Sequence, residues 1–323
     1  MSTSDVLRDA PPVDASNIAA SVIDATKLES QIRTAWAKWD ELVSTTVFDG
    51  LERLGFEEIR SPSPITKDRP FTASPTPLVT LMIAYLGVVF LGVLFYKLKG
   101  GKSATKGVKK GDPMWLRLFV QCHNIFLIFL SVYMCLTSIK EAYLNNYKFW
   151  GNAYAVEQVG MANVIHVFYL SKLYEYMDTM VMLLKGNIRQ VSVLHVYHHV
   201  SISFIWWTIA LVAPGGDAWY SCALNSFVHV LMYTYYFLAS VIGKDEKKKK
   251  KYLWWGRYMT QFQMFQFTTM MLQAYYCQRY SPYTPFLSKL LFWYMITLLV
   301  LFVNFYVKKY FGGSGGQSKK KTS

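Results

Sequence analysis

Long apolar runs separated by short polar connections dominate the chain from residue 77 onward. Crossing the hydrocarbon core of a membrane takes about 20 mostly apolar helical residues, so each run predicts a membrane-spanning helix. An aromatic stretch at 148–154 is too short to span and is predicted to be a loop. The seven predicted spans are residues 77–96, 116–138, 161–184, 191–212, 218–242, 258–277 and 286–307. The pattern therefore predicts an all-α, polytopic membrane protein.

A different pattern precedes these runs, because residues 28–60 mix apolar and charged positions at helical spacing. The apolar positions are Trp36, Trp39, Leu42, Val43, Val47 and Leu51. This spacing predicts an amphipathic helix that lies on the membrane or packs against the helix bundle.

Charge is distributed unevenly and predicts how the chain is oriented. Residues 1–76 carry a net charge of −4, whereas residues 77–323 carry +18, so the apolar part of the chain is also the basic part. The basic residues concentrate in alternate loops and after the last span, which by the positive-inside rule are cytosolic. This placement predicts a cytosolic carboxyl terminus and a luminal amino terminus, and it argues against a nucleic-acid partner.

These patterns divide the chain into three parts. Residues 1–74 form a luminal or interfacial segment, residues 75–310 the membrane domain, and residues 311–323 a cytosolic tail. The chain ends in Lys-Lys-Thr-Ser at 320–323, which matches the dilysine form of a retrieval signal for the endoplasmic reticulum.

Four predicted spans carry strongly polar side chains on one helical face. Each such group costs about 2.5–3.5 kcal/mol at the centre of a membrane helix, so a cluster of them indicates function. Together the four faces predict one polar cavity in the cytosolic half of the bundle. The motifs are Lys172-x-x-Glu175-x-x-Asp178-Thr179, His195-x-x-His198-His199, Asn225-x-x-x-His229-x-x-Met232-Tyr233-x-Tyr235-Tyr236 and Thr260-x-x-Gln263-x-x-Gln266.

Three imidazoles on one face permit metal ligation, proton transfer or nucleophilic attack. A di-iron histidine-box enzyme is disfavoured, because the chain has six histidines in all and a single box. A metal-dependent lipid oxidoreductase with one metal on the box and His229 remains an alternative, as does a seven-span receptor or transporter. The four cysteines lack metal-ligand or redox spacing and are interpreted as quiet buried thiols.

The four motifs, in this order, resemble the signature motifs of the ELO family of fatty acid elongases over residues 75–310. The resemblance implies seven membrane helices, six of which ring a substrate tunnel. It implies a metal-free and cofactor-free acyltransferase, a very-long-chain 3-oxoacyl-CoA synthase that condenses acyl-CoA with malonyl-CoA. Candidate partners are the lipid bilayer, a second copy of the chain, and the ketoreductase, dehydratase and enoyl reductase of the elongation cycle.

The tyrosine at position 197 and the run at 213–217 resemble the polyunsaturated branch, and most of all the algal Δ6 elongases. That likeness implies an eighteen-carbon Δ6 polyunsaturated acyl-CoA as the substrate.

The resemblance also implies roles for individual residues. His198 is the expected nucleophile that forms an acyl-imidazole, and His229 the group that acts on the malonyl thioester. His195 and His199 orient the nucleophile or move protons, and Asp178 or Glu175 holds a histidine tautomer. The expected substrate-binding residues are Lys172, Thr179, Asn225, Tyr233, Tyr236, Gln263 and Gln266, with Lys185, Arg189, Lys247–Lys251 and Arg257 for the CoA phosphates. The expected lining of the acyl tail comprises Phe204, Trp206, Trp207, Cys222 and Met271.

Overall fold

The computed structural model describes residues 15–99 and 112–311, and the side chains from residue 26 onward. Helices make up nearly all of this part of the chain, and it contains no strand. They are α1 Ala15–Arg53, α2 Thr76–Leu98, α3 Met114–Leu144, α4 Val159–Tyr174, α5 Tyr176–Leu184, α6 Val193–Val212, α7 Ala218–Ile242, α8 Glu246–Tyr252, α9 Met259–Tyr280 and α10 Pro285–Tyr310. The predicted cytosolic tail and its predicted dilysine signal lie outside the described residues from residue 312 onward.

Three of the helices are long and apolar enough to cross a membrane: α2, α3 and α10. α2 is an example: its apolar side chains Leu81, Ile83, Leu86 and Phe90 point outward rather than into the protein. α6, α7 and α9 coincide with predicted spans, but their histidines, amides and tyrosines lower their mean hydropathy. The polar residues that indicate function in these helices are therefore also the residues that make them less apolar than a lipid-facing span.

The predicted span at 161–184 is interrupted, because α4 ends and α5 begins at Glu175. The Glu175 N–H donates to the Ser171 carbonyl oxygen at 2.9 Å, and the Asp178 N–H donates to the Glu175 carbonyl oxygen three residues earlier at 3.0 Å, a 3₁₀-type bond that tightens the chain here. The break lies where the Glu175 carboxylate forms a buried ion pair with Lys172.

The amphipathic helix predicted at 28–60 is present as α1, which ends at Arg53. One stripe of this helix, including Val43 and Leu51, is buried against the bundle, whereas Trp36 and Leu42 remain exposed. Trp39 also donates its indole N–H to Thr80 of α2 at 2.9 Å. At the same contact, hydrogen bonds from the Thr76 and Ser74 hydroxyls lower the pKa of Asp40.

α3 packs along α7, and α9 packs along α10, in the most extensive helix contacts of the described structure. α4 lies against α3 and α6. This arrangement directs the motif faces of α5, α6, α7 and α9 toward one another, which is the condition for a shared site.

The carboxylate of Asp217 connects several segments at the end of the bundle where α6 turns into α7. It is 3% exposed and accepts hydrogen bonds from the backbone N–H groups of Gly151 and Asn152, at 2.9 and 3.0 Å. Its other oxygen accepts from the Cys277 thiol, at 3.1 Å, and from the Ser281 hydroxyl. The loop predicted at 148–154 is thus fastened to the α6–α7 turn and to the end of α9.

Candidate active site

A cavity of about 620 Å³ is bordered by residues of all four motifs. Most of the candidate residues line it: Glu175, Asp178, Lys185, Arg189, His195, His198, His199, Asn225, His229, Tyr233, Tyr236, Gln263 and Gln266. The prediction of one polar cavity shared by four helices agrees with this geometry.

Helical spacing places the three box histidines at the start of α6. Ser192 caps this helix, and its hydroxyl accepts a hydrogen bond from the backbone N–H of His195 at 3.2 Å. Positions i, i+3 and i+4 share a face, and the rings of His195 and His199 lie 4.4 Å apart between centroids.

Each box histidine has a different hydrogen-bonding environment. His195 Nε2 is 2.8 Å from the Thr179 hydroxyl, and His198 Nδ1 is 3.1 Å from the Tyr294 hydroxyl. The Nδ1 atom of His199 is buried and has no hydrogen-bond partner within the described residues. A buried, unpaired nitrogen is costly, so it is suited to accept or donate a hydrogen bond when a ligand is present.

Glu175 forms the first of two acidic clusters on the cavity wall. Its Oε1 atom is 2.7 Å from Lys172 Nζ and 3.3 Å from His229 Nδ1. Lys172 also donates to the side-chain oxygen of Asn225 at 3.1 Å. The Lys172 and Glu175 side chains are only 1% and 2% exposed, and their opposite charges neutralise each other, with Glu175 on the cavity wall and Lys172 behind it.

Asp178 forms the second cluster and has partners from two other helices. Its Oδ1 atom is 2.8 Å from His123 Nε2, and its Oδ2 atom accepts from the Tyr233 hydroxyl at 2.8 Å. His123 Nδ1 in turn lies 3.3 Å from the Tyr174 hydroxyl. His123 lines the cavity but belongs to none of the four motifs, so sequence reasoning missed it. The adjacent pair His123-Asn124, polar at membrane depth, is the signal that marks it.

Neither carboxylate contacts the histidine box through a hydrogen bond within the described residues. Asp178 instead contacts His123 at 2.8 Å, and Glu175 contacts His229 at 3.3 Å. Within the described residues, the side chains that hydrogen-bond to the box are two hydroxyl groups: Thr179 of α5 contacts His195, and Tyr294 of α10 contacts His198.

The remaining predicted residues lie at different distances from the cavity surface. Lys172 and Thr179 are fully buried behind it and support Glu175 and His195. Gln266 is buried and its Oε1 atom has no hydrogen-bond partner in the described structure, so an acceptor is available on the wall. Arg257 is exposed and does not line the cavity.

Three basic side chains line the cavity, and one of them, Lys309, was not predicted from the sequence. Lys185, Arg189 and Lys309 line the cavity, and Lys185 also pairs with Asp112 at 3.1 Å. The lysine run Lys247–Lys251 lies on α8 and is not part of the lining. The basic edge is therefore formed by the α5–α6 connection and the end of α10.

A second cavity, of about 40 Å³, is mainly apolar and lies farther along α6. Ile202, Trp206 and Leu291 line it, Tyr294 stands at the end nearer His198, and Asp217 belongs to its lining as well. Of the five residues expected to line the acyl tail, Trp206 borders this cavity. The other four border neither cavity, and Trp207 donates its indole N–H to the Thr72 carbonyl instead.

No group of three or more histidine, cysteine or carboxylate side chains has metal-binding geometry in the described part of the chain. Four imidazoles around the cavity have separate partners: His123 contacts Asp178, His195 contacts Thr179, His198 contacts Tyr294 and His229 contacts Glu175.

Comparison with known proteins identifies the family. The sequence model of the GNS1/SUR4 (ELO) family matches residues 70–321. Fatty acid elongase 6 of Leishmania major is 38% identical over 246 residues, which cover 73% of this chain and 60% of that protein. Very long chain fatty acid elongase 5 of Mus musculus and of Homo sapiens are 35% and 36% identical over 250 residues, covering 76% of this chain and 77% of each relative. With four motifs around one cavity and a match over most of its length, the chain belongs to the GNS1/SUR4 family.

Proposed function

We propose that this protein is the condensing enzyme of fatty acid elongation. It joins a long-chain acyl-CoA to malonyl-CoA and releases CoA and carbon dioxide. The product is a 3-oxoacyl-CoA that is two carbons longer than the substrate. The membership of the GNS1/SUR4 family and the similarity to proteins named as fatty acid elongases support this assignment.

The observation that carries the proposal is the order of chemical groups from the α5–α6 connection and the end of α10 inward along α6. Basic side chains at the cavity edge suit the phosphates of CoA, and the imidazoles come next. Beyond Tyr294 the lining becomes apolar, as an acyl tail requires. A thioester held between the two regions would have its carbonyl carbon beside the histidine box.

In the proposed first step, His198 attacks the thioester carbonyl and CoA leaves as its thiolate. A histidine nucleophile suits this site, because no cysteine lines the larger cavity. Acyl-imidazoles transfer their acyl group readily but react with water, so the enclosed site protects the intermediate.

In the proposed second step, malonyl-CoA loses carbon dioxide and its enolate attacks the acyl carbon. His229 is assigned to the malonyl thioester, and Glu175 holds its Nδ1 atom. Asn225, Gln263 and Gln266 are assigned to the thioester oxygens, because their amides line the same wall. His195 and His199 are assigned to positioning and proton movement.

The remaining assignments concern substrate, placement and partners. We propose an eighteen-carbon Δ6 polyunsaturated acyl-CoA as the substrate, on the strength of the sequence likeness at 197 and 213–217. We also propose seven spans in the endoplasmic reticulum membrane, with residues 1–74 luminal and residues 311–323 cytosolic. The alternating basic loops support this topology. Dimerisation and association with the ketoreductase, dehydratase and enoyl reductase belong to the same proposal.

Incubation of the purified protein with acyl-CoA alone tests the covalent step. We expect release of free CoA and a gain of one acyl mass, located on His198 by peptide mass spectrometry. His198→Ala should abolish both the adduct and malonyl-CoA incorporation. His166→Gln is the matched control, because His166 is bonded to the Pro70 carbonyl, away from the cavity.

Two outcomes would contradict the proposal. CoA release that requires malonyl-CoA, with no adduct, would replace the covalent route with direct transfer between the two thioesters. Iron or zinc bound stoichiometrically and required for turnover would favour the oxidoreductase alternative.

A further inference from the structure

The connection between α7 and α9, residues 243–258, is strongly basic. Its charged side chains are two acids, Asp245 and Glu246, and seven bases, Lys244, Lys247–Lys251 and Arg257. It consists mainly of α8 and a 3₁₀ turn at Trp254–Tyr258. The lysine run was expected to meet the phosphates of CoA, but it lines neither cavity. The proposed function therefore leaves this basic connection without a role.

The basic connection lies beside the end of a helix that is long and apolar enough to cross a membrane. That helix is α10, and its last turn carries Lys308 and Lys309 before it ends at Tyr310. The Tyr310 hydroxyl donates a hydrogen bond to the Arg257 carbonyl oxygen at 3.2 Å. This contact places the basic connection at the depth where an apolar helix gives way to charged residues, which is the depth of lipid headgroups.

One side of the basic connection is fixed to α7. Leu253 is buried, and the Trp255 ring meets the Tyr235 ring of α7 edge-on, with 5.4 Å between centroids. Gly256 lies so close to the same tyrosine ring that a side chain at this position would collide with it. The segment is thus held in place by these contacts, which determine the side that faces outward.

The two acids of the basic connection neutralise only part of its lysine run. Asp245 pairs with Lys248 at 3.7 Å, and Glu246 pairs with Lys249 at 2.7 Å. The other three lysines of the run are exposed and have no ion pair within the described residues: Lys247, Lys250 and Lys251. Their positive charge is available to an external anion.

Aromatic side chains are exposed among these charges. Tyr252, Trp254 and Tyr258 are 48%, 58% and 37% exposed. The Lys251 ammonium lies 5.1 Å from the centre of the Tyr252 ring, and the Arg257 guanidinium lies 4.7 Å from that of Tyr258. Soluble phosphates would satisfy the cations but leave the rings in water. A membrane surface accommodates both, because tyrosine and tryptophan favour the headgroup level and anionic headgroups attract clustered lysines.

We propose that the basic connection binds anionic lipid headgroups of the cytosolic leaflet. The phosphate and carboxylate groups of a lipid such as phosphatidylserine complement the three unpaired lysines, and Trp254 enters the headgroup region. The attraction acts only within about 10 Å at ordinary ionic strength, a distance that the contact with the end of α10 provides. The side of the membrane follows from the proposed topology, whereas lipid binding itself does not depend on the proposed reaction.

Lipid titration of the full-length protein in detergent tests the proposal, with bound lipid counted by native mass spectrometry. The unmodified protein should bind phosphatidylserine more tightly than phosphatidylcholine, and this preference should diminish as ionic strength rises. Lys247→Gln/Lys250→Gln/Lys251→Gln should weaken phosphatidylserine binding about ten-fold or more, because each lysine near an anionic surface contributes to affinity. Phosphatidylcholine binding should remain within two-fold. The corresponding triple substitution by arginine keeps the charge and should retain the preference.

The matched control removes three positive charges elsewhere. Lys38, Lys67 and Lys148 are also exposed and without an ion pair in the described structure. Lys38→Gln/Lys67→Gln/Lys148→Gln should leave phosphatidylserine binding within two-fold of the unmodified protein. Net charge alone would make the two triple variants equal.

Fluorescence quenching tests the depth of the aromatic side chains. In vesicles of phosphatidylcholine and phosphatidylserine brominated near the headgroup end of the acyl chain, Trp254→Phe should remove part of the quenchable tryptophan emission. Trp207→Phe is the comparison, because the Trp207 side chain is fully buried and should contribute little quenching.

Three results would overturn the proposal, and none of the measurements requires turnover. The first is unchanged phosphatidylserine affinity in the glutamine variant of the lysine run. The second is an equal loss in the control variant. The third is displacement of bound phosphatidylserine by added CoA, together with weaker CoA binding in the glutamine variant, which would assign the run to CoA instead.

Discussion

At the scale of single residues, the site keeps its two carboxylates apart from the three histidines of the box. Glu175 is neutralised by Lys172, and Asp178 is held by His123 and Tyr233. The box histidines contact hydroxyls instead. The buried acids of this protein therefore organise the wall of the cavity, and the reactive face is left with neutral partners.

The Lys172–Glu175 pair permits a stability prediction. Lys172→Met should lower the free energy of unfolding by about 3–5 kcal/mol, because it strands the buried Glu175 charge. The double variant Lys172→Met/Glu175→Gln should recover part of the loss, since neither charge then remains. Equilibrium unfolding in mixed micelles measures both.

Lys140→Met is the control for that experiment. Lys140 is 68% exposed and 3.9 Å from Glu141, so its removal should cost less than about 1 kcal/mol. Equal stability of Lys172→Met and Lys140→Met would contradict the interpretation of a buried, self-neutralising pair.

At the scale of elements, interruptions and turns position the functional side chains as much as the helices do. The break at Glu175 separates α4 from α5 at the point where a carboxylate turns inward. The turn between α6 and α7 fastens the far end of the bundle through Asp217. The first feature divides a run that apolar periodicity treats as one span, and the second connects two segments that it treats as separate.

Gly216 in the α6–α7 turn permits a prediction at this scale. Its φ is +51°, and a Cβ there would meet the Asn152 carbonyl oxygen and the Tyr154 amide nitrogen at 2.8 Å. Gly216→Ala should therefore destabilise the protein by at least about 1–3 kcal/mol, from the backbone conformation before the clash is counted. Thermal unfolding in detergent measures the loss.

Gly87→Ala serves as the comparison, because it lies within α2 and no atom is within 4 Å of its added Cβ. It should be neutral or slightly stabilising, as expected for alanine in a helix. If Gly216→Ala were as stable as Gly87→Ala, the turn would accommodate a Cβ at this position without loss of stability, which contradicts the prediction.

At the scale of the whole molecule, apolar surface and polar interior are arranged for a membrane. α2 directs its leucines and phenylalanines outward, whereas α6 and α7 enclose imidazoles, amides and hydroxyls. A water-soluble protein has the opposite arrangement. The exposed apolar surface of α2, α3 and α10 agrees with their length and composition, which suffice to cross a membrane.

Glycosylation mapping tests the proposed topology. Ile32→Asn creates an Asn-Arg-Thr acceptor with Thr34 on an exposed part of α1, and Lys320→Asn creates an Asn-Lys-Thr acceptor with Thr322. In microsomes we expect a gel shift, removed by endoglycosidase, for the first variant alone. A shift for the second, or for both, would refute the luminal amino terminus and cytosolic tail.

The sequence by itself determined that the chain is helical, that its composition suits a membrane, and which side chains of each motif share a helical face. Those properties are local, because 3.6 residues per turn fixes which side chains share a face once a helix forms. Thus the spacing of His195, His198 and His199 was sufficient to bring them to one wall, and α7 began and ended where apolar periodicity placed it.

Only the tertiary structure decided which helices are neighbours, and hence which partners the reactive groups receive. His123 and Asp178 are 55 residues apart in the chain, and His198 and Tyr294 are 96 apart. Helical periodicity carries no information across such separations, because these contacts depend on how whole helices pack. The packing of α3 against α7 brings His123 to the site, and the packing of α10 near the start of α6 brings Tyr294 to it.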